Sequence, residues 1–152
     1  MDGFEFTSPF QLIGTSVKEL NIQNDFNRLI FDAETEKVFD LNYKITDIKS
    51  INDNVLQGKM NLYLVIELKR DAGSFNFSLV LEGCFVIGAD QKDAFEQMLT
   101  INGASTLYSI ARTIVLSVCG VSVSGDQIIL PMINFVKVAH ERVTEKVHKK
   151  KK

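Results

Sequence analysis

Three stretches of this chain alternate apolar and polar residues so strictly that little choice of backbone remains. Val38 to Thr46 sets Phe39, Leu41, Tyr43 and Ile45 against Asp40, Asn42 and Lys44. Lys59 to Lys69 sets Met60, Leu62, Leu64, Ile66 and Leu68 against Asn61, Tyr63, Val65 and Glu67. Ser74 to Gly88 sets Phe75, Phe77, Leu79, Leu81, Phe85 and Ile87 against Ser74, Asn76, Ser78 and Glu82. A period of two is that of a pleated strand, and one apolar side per strand gives a sheet with one packed face and one wet face. The turn Asp71-Ala72-Gly73 makes a hairpin of the last two strands.

A fourth strand precedes these. Phe10 to Gln23, FQLIGTSVKELNIQ, alternates with a slip of phase at Leu12 and Ile13 beside Gly14, the mark of a bulge or a strong twist. Met1 to Pro9 reads as a flexible arm. The connection Asn24 to Lys37 is longer than most hairpin loops and carries Phe26, Leu29, Ile30 and Phe31. Four large apolar residues argue against a free, disordered loop.

Beyond Gly88 the period changes. Asp90 is placed to cap a short helix running to Leu99, with Phe95, Met98 and Leu99 inward. A long helix follows from Asn102, a plausible N-cap, to Gly120, a plausible stop. Half of its circumference holds Leu107, Tyr108, Ile110, Ala111, Ile114, Val115, Val118 and Cys119; the other half holds Ser105, Thr106, Ser109, Thr113 and Ser117. Between Gln97 and Gly125 the only charged side chain is Arg112. A surface helix ordinarily shows water Lys and Glu, so this hydroxyl face points to cover by another subunit or a bound chain. Thr113 to Leu130 is also rich in Val, Ile and Thr, and Ser124-Gly125-Asp126 leaves a hairpin there as the alternative. Val121 to Pro131 reads as loop or extended chain. A last helix from Ile133 to Val147 has Val136, Ala139, Val143 and Val147 at helical spacing. The expected fold is α+β, a four-stranded antiparallel sheet with helices packed on one face. One domain spans residues 10–147, and 148–152 form a basic tail.

At 152 residues, 45% hydrophobic and 24% charged, the chain has the composition of a single globular domain. Its charge is uneven: from Lys137 onward seven Lys/Arg stand against two Glu, while the preceding body carries ten against seventeen Asp/Glu. No apolar run of 18 residues lacks polar interruption, and no secretory leader pattern opens the chain, so the expected location is cytoplasmic. Cys84 and Cys119 sit in apolar pattern without CxxC spacing and read as buried free thiols in a reducing compartment. Reacting groups are scarce. His140 and His148 lie on the charged last helix and tail, no His/Cys/Asp cluster has metal-ligand spacing, and the GxSxG, GxxxxGK[ST] and GxGxxG patterns are absent. Neither an enzyme nor a cofactor is expected, and no aromatic residue interleaves the terminal lysines to suit nucleic acid. What remains is apolar surface suited to binding another chain.

Four short segments, in order, resemble the SecB family of export chaperones over about Phe10 to Val138. They are the opening strand with its Lys18-Glu19 pair, Gly83-Cys84-Phe85 late in the fourth strand, Leu107-Tyr-Ser-Ile-Ala-Arg112, and Leu130-Pro-Met-Ile-Asn-Phe135. The resemblance implies an ATP-independent holdase that binds unfolded or non-native polypeptides in long apolar grooves. Its clients are exported preproteins or, in divergent members, an antitoxin of a toxin–antitoxin module. On this chain the groove residues would be Phe26, Leu29, Ile30 and Phe31 on the crossover, with Val121, Val123 and Ile128 opposite. A homo-tetramer, built as a dimer of dimers, would pack the long helices together through Ser105, Ser109, Arg112, Thr113 and Ser117. Glu19 matches the acidic surface that contacts the SecA motor, whereas Gln23, Ser78 and the basic tail depart from it. Ser109 and Ile110 replace the family's proline and tyrosine, and Val121-Ser-Val-Ser-Gly125 stands where a phenylalanine-proline pair follows the helix. The other reading of the same features is a non-catalytic adaptor holding one folded partner or small ligand.

Overall fold

The structure, a computed structural model, describes residues 8–71 and 73–150. Met1 to Thr7 of the expected arm and the last two lysines lie outside the described residues, as do the side chains of Val147, His148 and Lys150. Four strands come first: β1 (Gln11–Asn24), β2 (Glu36–Asn52), β3 (Val55–Arg70) and β4 (Gly73–Gly88). They form one antiparallel sheet in the order β1-β4-β3-β2. The alternation does what its period demands: Leu56 to Leu68 on β3 and Phe75 to Ile87 on β4 bury every second residue. β2 is longer than its alternation shows, because bulges at Thr46 and Ile51 break the period beyond Ile45.

β1 carries two register shifts against β4, at Ile13 and at Lys18. The first is the slip expected beside Gly14. The second keeps Val17 and Leu20 on one face, opposite Leu81 and Leu79, although their spacing is odd.

Helices cover the apolar face. A 3-10 turn (Ala89–Gln91) leads into α1 (Lys92–Met98), a π turn (Leu99–Gly103) and α2 (Ala104–Ser122). The run is therefore unbroken from Ala89 to Ser122. Asn102 lies inside the π turn rather than capping a helix, its carbonyl accepting from Thr106 Oγ1 at 2.8 Å, and Gly120 lies within α2. The hairpin alternative for Thr113 to Leu130 is excluded by the helix. A Cβ on Gly103 would stand 2.7 Å from Met60 Sδ, and one on Gly83 would stand 2.5 Å from Leu107. These two glycines let helix and sheet close on each other. Phe75, Phe77, Phe85, Phe95, Leu99 and Leu107 are fully buried between the layers, each contributing about 1.5–3 kcal/mol before entropy. The stretch Ala89–Ser122 is long and apolar enough to cross a membrane by length and composition. One face of it, with Phe95, Leu99, Leu107, Ala111 and Val115, is buried on the sheet.

α3 (Phe135–Lys150) continues through His148 to Lys150, beyond the boundary expected for the tail. Its periodic stripe packs only in part: Ala139 is half-buried while Val136 and Val143 are exposed, and the deeper contacts are Phe135, buried, and Val138, partly so. Phe135 wedges between Tyr43 and Tyr108, each with ring centroids 5.6 Å away. Arg142 lies 4.0 Å from the Tyr43 ring centroid and donates to Tyr43 O and Asn42 Oδ1. An arginine anchor, invisible to an apolar periodicity, thus fixes the helix's rotation. α2 meets β1 at its end, where Asn24 Nδ2 donates to Ser122 O at 3.4 Å, but Leu12, Val17 and Leu20 on the sheet's apolar side stay exposed.

Candidate functional site

Because β1 and β2 occupy opposite edges of the sheet, the chain between them must travel across its end. This crossover is tied at both sides. Toward the β3–β4 hairpin, Asp25 N donates to Ser74 O at 3.0 Å, and Arg70 reaches Ile30 O at 3.2 Å and the Asp32 carboxylate at 2.9 Å. Toward the segment after α2, Ser124-Gly125-Asp126 forms a clasp. Leu29 N donates to Ser124 O at 2.7 Å, Asp126 N to Leu29 O at 2.8 Å, Ser124 Oγ to Asn27 O at 2.8 Å, and Phe31 N to Asp126 Oδ2 at 2.8 Å. Gly125 makes the clasp possible: its φ of 106° is open to glycine, and a Cβ there would run into the Leu29 backbone.

The clasp leaves a cleft beside it. About 350 Å³ in volume, it is lined by Phe31, by Lys37, Val38 and Phe39 of β2, by Ile66 and Leu68 of β3, and by Gln127 to Pro131. Lys37 is its one charged lining residue, and its Nζ sits 5.0 Å from the Phe31 ring centroid. Residues 127–132 run without helix or strand pairing and alternate: Ile128 and Leu130 enter the core, while Ile129 is 69% and Met132 82% exposed. Tyr108 Oη donates to Pro131 O at 2.6 Å, and Arg112 Nε donates to Leu130 O at 3.2 Å. Burial pushes the Tyr108 phenol above its ordinary pKa, against the pull of the Arg112 charge, so it stays a donor at neutral pH. These two bonds pin the segment to α2 and hold the cleft's outer wall.

Other hollows exist among the described residues, one of about 380 Å³ beside Asp25, Arg70 and Gly73 at the β3–β4 hairpin and two nearer the helices. The larger, about 740 Å³, lies between α3 and α1, with Tyr43 and Ile45 below and Asp93, Glu96, His140, Arg142 and Lys146 at the rim. The smaller, about 150 Å³, lies behind the clasp against Leu29, Cys119 and Ile128. The cleft at Phe31 combines apolar walls with exposed apolar neighbours and offers contact surface rather than reacting groups. Among the described residues no three His, Cys, Asp or Glu side chains gather as a metal site.

The residues expected to bind a chain are brought together only in part. Phe31 and Ile128 line the cleft, and Ile30, 48% exposed, stands next to it on the crossover. Leu29, 1% exposed, and Val123 are buried in the clasp, so they anchor the crossover rather than offer surface. Phe26 packs partly buried against the core. Val121, 87% exposed, lies at the end of α2 and does not line the cleft. Missing from the expectation are Val38, Phe39 and Ile129 of the lining and the exposed Met132 beyond it; Ile129 was signalled by the alternation past Gly125, Val38 and Phe39 by their place on β2. On α2, Ser105, Ser109, Thr113 and Ser117 are exposed on one face. Ser109 Oγ and Thr113 Oγ1 bond back to carbonyls one turn earlier, at 3.0 and 3.3 Å, so the face shows small groups whose donors are already used. Arg112 is turned aside to Leu130 O and Met132 Sδ. Glu19 is exposed on the wet face of β1, opposite Val80, next to the Lys18–Glu82 ion pair at 3.6 Å.

No family model and no curated protein matches this sequence. Solved structures do. A SecB-like chaperone of Mycobacterium tuberculosis, solved in complex with a ChAD peptide from the HigA1 antitoxin, superposes with a TM-score of 0.53 at 11% identity, covering 82% of this chain and 90% of that one. A Streptococcus agalactiae protein of unknown function superposes with a TM-score of 0.49 at 16% identity, covering 81% of this chain and 97% of that one. The four-stranded antiparallel sheet with its helices thus matches a chaperone structure despite little common sequence, and the chain has a SecB-like fold.

Proposed function

We propose that this protein is an ATP-independent holdase that binds unfolded or non-native polypeptide in the cleft at Phe31. The observation that carries the reading is an apolar cleft opening beside solvent-exposed Ile129 and Met132, held open by hydrogen bonds rather than closed by packing. A chain that spends several bonds keeping apolar area in water is built to lend that area to another molecule. Several such contacts in series hold an unfolded client, which can reach all of them, and pass over a folded one. The structural neighbour's peptide-bound state supports a polypeptide client, and an antitoxin is one candidate beside an exported preprotein. The exposed Leu12, Val17 and Leu20 on β1, and separately the hydroxyl face of α2, favour assembly of copies, as a dimer of dimers in the cytoplasm. Glu19 alone is a narrow basis for docking the SecA motor, so delivery to it is left out of the reading.

The test is suppression of aggregation. The protein is expected to keep several unrelated, thermally unfolding proteins in solution without nucleotide, and the pair Ile129→Asp with Met132→Asp is expected to lose this activity while unfolding normally in urea. Both residues are too exposed for their loss to weaken the core. Failure against every client overturns the holdase. The second reading, an adaptor for one folded partner or small ligand, is favoured by the larger cleft between α1 and α3 with its charged rim. A protein that suppresses no aggregation yet retains one partner from solution would establish it.

A further inference from the structure

Of the two sheet edges, only that of β2 runs regularly beside the cleft. β1 slips register at Ile13 and Lys18, so its outer backbone groups change phase every few residues. Residues 36–45 of β2, by contrast, pair with residues 60–69 of β3 without a break. Tyr43 reveals which backbone groups of β2 face outward. Its N–H donates to Asn42 Oδ1 at 2.9 Å and its C=O accepts from Arg142 Nη1 at 3.2 Å, partners that both lie outside the β3 ladder. In an antiparallel strand the N–H and C=O of one residue point to the same side, and those of the next residue to the other. Lys37, Phe39 and Leu41 share Tyr43's parity and so turn their backbone groups to the free edge. No turn, loop or side-chain bond among the described residues takes them up. Arg142 closes the edge at Tyr43, beneath α3, and leaves it open where Lys37 and Phe39 line the cleft.

We propose that the bound polypeptide adds to β2 as a fifth strand along Lys37 to Leu41. This rests on the holdase reading and specifies how its site grips a chain. Free N–H and C=O groups in alternation are satisfied by another backbone, which a small molecule does not supply. Side chains of the incoming strand opposite Lys37, Phe39 and Leu41 lie on the apolar side and enter the cleft between Phe31 and Ile129. The intervening ones meet Val38 and Asp40 on the wet side, where a basic or apolar residue suits better than an acidic one. The preferred ligand is an extended segment with an apolar residue at every second position and no proline at the pairing positions. Recognition then reads backbone and pattern more than sequence.

The probe is the tightest-binding short peptide from an array tiled across reduced, carboxymethylated α-lactalbumin, N-methylated at one amide at a time. Methylation at alternate positions is expected to weaken binding about tenfold or more, and at the intervening positions to leave it almost unchanged. On the protein, Leu41→Pro removes an outward N–H without breaking the β3 ladder and is expected to weaken the same peptide, whereas Leu41→Ala is not. A peptide that binds with no period-two sensitivity overturns strand addition while leaving the holdase standing, as does a folded Leu41→Pro that binds like Leu41→Ala. An array without any binder overturns both.

Discussion

Gly125→Ala isolates the clasp that shapes the cleft. At φ 106° a non-glycine residue costs about 1–3 kcal/mol of backbone strain. The added Cβ also meets the Leu29 carbonyl oxygen, and Leu29 N at 2.8 Å. Backbone atoms cannot swing aside like the tip of a side chain. Relieving the contact parts Leu29 from Ser124 and Asp126 and forfeits two backbone hydrogen bonds, at about 0.5–1.5 kcal/mol each. The sum, about 2–6 kcal/mol, is a large share of a domain's stability. Urea unfolding should show a lower midpoint at unchanged slope, and hydrogen exchange should show the Leu29 amide opening first. Ser124→Ala provides the scale, since it deletes only the bond to Asn27 O and should cost about 1 kcal/mol. If Gly125→Ala unfolds within about 0.5 kcal/mol of the parent with its Leu29 amide as protected as before, the clasp is not what holds the crossover.

Two further outcomes follow from the same geometry. Burial raises the Cys119 thiol to about 11, so the folded state keeps its proton while the unfolded state releases it near 9; the contribution of Cys119 to stability should be constant below pH 9 and be lost between 9 and 11, giving a shallower fall there in Cys119→Ala, and an identical slope in both proteins would refute the assignment. Ser109→Lys with Thr113→Lys places two charges on the hydroxyl face of α2, and light scattering should report a smaller particle with an unchanged circular-dichroism spectrum; an unchanged mass means that face is not an interface.

How much of this was legible in the sequence depends on what kind of interaction fixed each element. β3 and β4 were readable because burial alone decides them: a central strand pairs on both sides and packs one face, so the alternation survives intact. The slip at Gly14 was visible because two apolar neighbours, Leu12 and Ile13, stand beside a glycine, whereas the one at Lys18 was not, since an exposed edge strand shows no strong contrast between its faces. The π turn hid the junction of the two helices, because Asn102 looks like a cap in sequence and becomes interior once the turn widens. α3 was placed nearly correctly but rotated wrongly, because its orientation comes from Arg142 on Tyr43. The cleft shows the same divide. Phe31 and Ile128 stood out as apolar residues in loops, yet Leu29, equally apolar, proved to be the clasp's buried anchor. Hydrophobicity marks residues that avoid water; it does not say whether they are hidden already or waiting for a partner.

The strand order has a consequence for how the chain comes to be folded. β2, β3 and β4 follow one another as a meander and can pair as soon as each is made, but β1's only partner is β4, the last strand synthesised. The N-terminal strand must wait unpaired through the synthesis of the whole sheet, and long-range pairings of this kind are the slow ones. Until β4 arrives, β1 carries Leu12, Val17, Leu20 and Ile22 with nothing to lie against. Under the proposed holdase function, a newborn copy is thus, for a time, a client for its finished siblings.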